Sequence, residues 1–178
     1  MFEEYLQDSH EFLLNARCSS RSQDDRTAKR YYRASAFCAS GAIEAFVNYI
    51  ADSFARAEAL TPLEIAFLSD KVLTFDKGKQ VERVEFHRID EKLRLLLDKF
   101  VPEFDFARTC WCKFLELKQL RDSLVHPRKD EDGTGIAEYD RNVSGGLSAI
   151  IEVMNSLSSG IFNKPLRKQL LDLIPEDF

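Results

Sequence analysis

Residues 34–51 read ASAFCASGAIEAFVNYIA. The stretch has no proline, it is rich in alanine, and on a helix it is apolar on most faces. A helix of that kind belongs at the centre of a bundle, because it has almost no face to give to water. The pattern around it predicts one long helix over residues 25–59. Before it, Cys18 to Asp25 breaks the periodicity, and Ser22 or Asp24 is placed to cap its start.

Working outward, residues 2–16 predict a first helix with Phe2, Leu6, Phe12 and Leu13 as its apolar positions. Thr61-Pro62 supplies an N-cap and a first-turn proline, and a shorter helix is expected to run to about residue 73. Residues 74–86 are polar and read as a loop. Residues 88–100 form an amphipathic helix with Ile89, Leu93, Leu96 and Leu97 on one side, and Pro102 stops it. Residues 106–125 form another helix. After a loop over residues 129–135 comes a helix over 137–158, weakened by Gly145-Gly146. A short amphipathic tail follows over residues 165–173. The expected fold is all-α, an up-and-down bundle of about five core helices, as a single domain over residues 1–178.

Composition agrees. The 178 residues are 44% hydrophobic and 31% charged, as in an ordinary soluble protein. Seven glycines and five prolines are few for an all-β fold. The net charge of −5 argues against broad binding to duplex DNA, which depends on neutralising phosphates. Two basic clusters stand out, Arg26-Lys29-Arg30-Arg33 and Arg121-Arg128-Lys129; as surface charge they need no ligand. No targeting segment is read at the acidic N-terminus, and no apolar run is taken to approach membrane-spanning length. The expected setting is cytoplasmic, without membrane contact. Cys18, Cys38, Cys110 and Cys112 offer one C-x-C and no second pair, so neither zinc nor another cofactor is expected.

The chemistry concentrates at residues 118–128, KQLRDSLVHPR. On a helical wheel Phe114, Leu117, Leu120 and Leu124 share a stripe, and Arg121 sits at its edge. A guanidinium beside an apolar face needs water, a carboxylate or a phosphate to satisfy it. His126 lies five residues on, about 140° around an ideal helix, so the two side chains would not converge within one helix. Pro127 disfavours helical geometry at His126 and frees the imidazole. An arginine holding phosphate oxygens and a histidine moving a proton are a minimal tool for cleaving RNA. The spacing alone equally fits an edge arginine in a salt bridge and a histidine at a helix end.

Arg121, four residues, then His126 at the end of a late helix resembles the HEPN superfamily, whose motif often carries a polar residue after the arginine, here Asp122. Residues 40–49, SGAIEAFVNY, look like the early helix of many HEPN proteins, with Glu44 and Asn48 four apart. The resemblance implies a homodimer whose motif helices line a shared cleft. It implies a metal-independent endoribonuclease with Arg121 and His126 catalytic and Asp122, Glu44 and Asn48 supporting. Such proteins are often toxins paired with an antitoxin protein, or defence components, and their products carry 2′,3′-cyclic phosphates. The alternative is a non-catalytic HEPN-like domain that binds a protein or a nucleotide. His10 and His87 are expected at the surface, Trp111 in the core or an interface, and Tyr31-Tyr32 in packing.

Overall fold

The computed structural model describes residues 1–54, 59–77, 79–126 and 134–175. Its elements run α1 (Phe2–Arg21), α2 (Asp25–Phe54), α3 (Pro62–Leu68), β1 (Lys71–Asp76), β2 (Lys79–Val84), α4 (Ile89–Phe100), α5 (Thr109–Val125), α6 (Ile136–Phe162) and α7 (Lys168–Leu171). The all-α bundle expected from the sequence is what the chain forms, with one small hairpin added.

Helix α2 is the centre of it and packs against α1, α3, α4, α5 and α6. Ala28, Ala36, Ala39, Ala42, Ile43, Val47 and Ile50 are almost fully buried. By length and composition α2 does reach what a membrane span needs, contrary to the sequence reading, but half of its apolar window is buried by the other helices.

Alanines let α1 and α2 approach closely, and two serines use that approach. The Ser9 hydroxyl donates to the Ser35 carbonyl (3.0 Å) and the Ser35 hydroxyl to the Ser9 carbonyl (2.7 Å), both fully buried. One end of the bundle is tied by Asp140 of α6. It accepts from the Arg17 Nε of α1 (2.7 Å) and from the Tyr32 hydroxyl of α2 (2.9 Å). Burial, and then the bond to Asp140, push the Tyr32 phenol well above its ordinary range.

Several boundaries differ from the sequence reading. Helix α1 continues through Cys18-Ser19-Ser20 to Arg21 instead of ending near residue 16. Asp24, not Ser22, caps α2, accepting from the Thr27 amide (3.0 Å), while Ser22 turns back to the Cys18 carbonyl. The Thr61 cap and Pro62 are as expected, with Glu64 completing a capping box. Helix α3 then stops at Leu68, because Asp70 takes a left-handed conformation (φ 55°) and turns the chain into the hairpin. Residues 74–86, read as a loop, hold most of that hairpin, paired antiparallel from Lys71–Val84 to Asp76–Lys79.

Helix α6 runs unbroken through Gly145 and Gly146 for 27 residues. A Cβ on Gly146 would collide with the Leu117 side chain of α5. The glycine is what lets α5 and α6 touch. Around α5, Trp111 packs among Phe104, Phe106 and Phe114 and takes the Arg94 guanidinium 5.0 Å from its ring.

Gly146→Ala is expected to destabilise the fold by about 1–3 kcal/mol through overpacking. Gly41→Ala, whose new methyl meets nothing nearer than 3.7 Å, is expected to stabilise α2 by up to about 1 kcal/mol. Denaturant melts of the two variants check this. A neutral Gly146→Ala would show that α5 and α6 are not in contact there.

Candidate functional site

Helix α5 ends as its sequence predicts. Val125 is its last residue, and His126 leaves helical geometry (φ −123°, ψ 66°) while its amide still donates to the Asp122 carbonyl (3.0 Å). Its imidazole is exposed. Pro127, Arg128 and Lys129 lie outside the described residues.

One turn back, Arg121 is answered by carboxylates. Its side chain is 36% exposed and pairs with Asp122 (3.1 Å) and, across the helix boundary, with Glu44 of α2 (3.7 Å). Asp122 is also held by Lys118 (3.2 Å). Burial raises the Asp122 pKa, but hydrogen bonds from Arg121 and Lys118 outweigh it and hold the carboxyl below its ordinary value.

Arg121, Asp122, Glu44 and Asn48 share one cavity of about 540 Å³, a volume suited to a small ligand. The polar stripe of α2 forms one wall and α5 another. The remaining wall is the passage from the hairpin into α4. Lys92 there is almost fully buried and pairs with Asp70 (2.7 Å). Asp70 also accepts the His87 amide (2.8 Å). Burial raises the Asp70 pKa, and these two donors override it in the downward direction.

His126 opens elsewhere. It lines a larger groove, about 1350 Å³, between α2, α5 and α6, and of the five predicted site residues only Asp122 faces both spaces. The structure therefore gathers Arg121, Asp122, Glu44 and Asn48, and sets His126 on the far side of Asp122. The angular separation expected from the helical wheel persists.

Sequence reasoning missed His87. It is half-buried, its ring lies over Phe67 (centroids 4.1 Å apart), and it lines the cavity that holds Arg121. No spacing pattern links residue 87 to residue 121; only the hairpin brings them together. His10 is likewise half-buried, and burial, followed by the Arg17 charge, lowers its pKa. Trp111 is in the core, as expected. Among the described residues no three His, Cys, Asp or Glu side chains gather as a metal site.

Compared with models of protein families, with curated proteins and with solved structures, the chain matches none.

Because Asp70 and Asp122 have lowered pKa values when folded, their contribution to stability is present above the ordinary value of 3.8 and is lost as pH falls through the folded values. The melting temperature should fall as pH drops below about 4, and less steeply in Asp70→Asn. That variant is also expected to lose about 3 kcal/mol at neutral pH, since it strands a buried lysine. A pH series of thermal melts decides; an acid slope identical in variant and wild type would remove Asp70 from the account.

Proposed function

We propose that the chain is a metal-independent endoribonuclease of the HEPN type, with its active site in the cleft of a homodimer. The observation that carries this reading is the setting of Arg121. A partly exposed guanidinium is paired with Glu44 and Asp122 in the lining of a cavity, and a solvent-accessible histidine ends the same helix. Pairing two protomers through this face would let the arginine of one chain work with the histidine of the other.

In the reaction, one His126 takes the proton of the 2′-hydroxyl as the 2′-oxygen attacks phosphorus. The second protomer's His126 gives a proton to the departing 5′-oxygen. The products are a 2′,3′-cyclic phosphate and a 5′-hydroxyl. Arg121 leaves its carboxylates to hold the phosphate oxygens where charge builds up. Glu44, Asp122 and Asn48 keep the guanidinium oriented before substrate arrives. On this reading the protein works in the cytoplasm as a toxin or defence component, restrained by an antitoxin protein.

A second reading draws on the same pairing. An arginine already neutralised by two carboxylates serves equally in a non-catalytic HEPN-like domain that binds a protein or a nucleotide.

The test is incubation with mixed RNA in excess EDTA. His126→Ala is expected to lose about a hundred-fold or more of the cleavage rate, and Arg121→Ala a similar factor, with circular dichroism and sedimentation unchanged. His87→Gln is expected to cleave normally. If His87→Gln is the inactive variant and His126→Ala is not, the proton chemistry belongs to the cavity inside one protomer. If the wild type leaves no cyclic phosphate ends, the non-catalytic reading stands.

A further inference from the structure

The groove that holds His126 carries a second set of basic residues, two of which, Arg30 and Arg33, sequence reading assigned to solvent. Arg30 and Arg33 come from the start of α2 and Arg141 from α6. All three are exposed. Among the described residues none of them makes a salt bridge; Arg33 donates only to the Lys29 carbonyl (3.2 Å). This differs from the neighbouring cavity, where Lys92, Lys118 and Arg121 are each matched by a carboxylate. Phe37 lines the groove too, and 42% of it is exposed. On α2 the residues Arg30, Arg33 and Phe37 fall at i, i+3 and i+7, one face of the helix, over about 10 Å of its length.

We propose that this groove is a track for single-stranded RNA, in which Arg30, Arg33 and Arg141 hold phosphates and Phe37 stacks a base, alongside His126. The inference builds on the ribonuclease reading and supplies its substrate class. Arg30 lies near enough to the exposed Asp24 carboxylate to help lower its pKa, but among the described residues no salt bridge ties up any of the three guanidiniums, which leaves them open to phosphate oxygens. An exposed ring on the same face adds what a duplex cannot use, because paired bases are already stacked on one another. Glu116, Asp122 and Glu138 also line the groove; Asp122 is already paired with Lys118 and Arg121, so the cationic excess rests on that pairing and the site is short. A local track of this kind is compatible with a net charge of −5, which rules against long tracts of nucleic acid only.

The probe is a 2′-O-methylated single-stranded oligoribonucleotide, followed by fluorescence anisotropy. It has no free 2′-hydroxyl, so binding is read apart from cleavage. Three phosphate contacts predict a log–log salt slope of about −2, and each of Arg30→Gln, Arg33→Gln and Arg141→Gln should flatten it by about 0.7. Phe37→Ala should weaken binding about five-fold or more and leave the slope alone. Glu116→Gln should tighten binding. The inference is overturned if the oligonucleotide does not bind, or if the three arginine variants, folded by circular dichroism, keep the wild-type slope. It is also overturned if the matching duplex binds as tightly and Phe37→Ala is neutral. Binding as described without any cleavage of unmodified RNA would count against the ribonuclease reading and leave the track standing. Cleavage with an unchanged slope would do the reverse.

Discussion

Packing α2 against five other helices decides which of its faces stay open, and the placement of the candidate site follows from that constraint. A 30-residue helix whose alanines, isoleucines and valines face inward must be covered by several partners at once. Close approach is possible where side chains are small, and the reciprocal serine bonds between α1 and α2 occupy one such place. Ser40, Glu44 and Asn48 form one polar stripe of α2, and they all line the Arg121 cavity. Arg121 is therefore satisfied by Asp122 of its own helix and by Glu44 of the central one. The charge that looked expensive at the edge of an apolar stripe is matched by the acid at the edge of another.

Asp122 gives the site its division. It takes hydrogen bonds from Arg121 and Lys118 on one side and borders the groove of His126 on the other. The two spaces differ in kind. In one, acids and bases are paired, and the desolvation of Lys92 is offset by Asp70. In the other, three arginines make no salt bridge among the described residues and stand with an exposed phenylalanine. A paired site suits orientation and a small ligand; an unpaired one suits an anion that arrives from outside.

Much of this was legible in the sequence, and the reasons are local. The Thr61-Pro62 start, the end of α5 at Val125 and the apolar faces of α4 and α5 follow from residues within a turn or two of each other. The stripe of Glu44 and Asn48 is visible from helical spacing alone. The hairpin was not legible. Phe75 and Val84 are exposed, so no alternation of burial marks the strands, and the pairing rests on a tight turn where Lys77 adopts φ 47°. His87 was misjudged for the same reason, since the hairpin delivers it to the cavity. Joining Arg30 and Arg33 to His126 requires knowing that α2 and α5 are neighbours, which no local pattern states. The close contact at Gly146 was not legible because the use of a glycine, flexibility or close contact, depends on what lies opposite it.

The turn between α1 and α2 has a consequence for the order of assembly. Only residues 22–24 separate the two helices, with Gln23 in the left-handed conformation, and the pair shares the largest interface in the fold. Closing so short a loop costs little entropy, whereas α6 must return from more than a hundred residues away to place Asp140 against Arg17 and Tyr32. Low contact order thus makes the α1–α2 hairpin the natural nucleus. The half of the polar stripe contributed by α2 would then exist early, while Arg121 and His126 join it only when the later helices dock. A nascent chain would carry the cradle before it carries the chemistry.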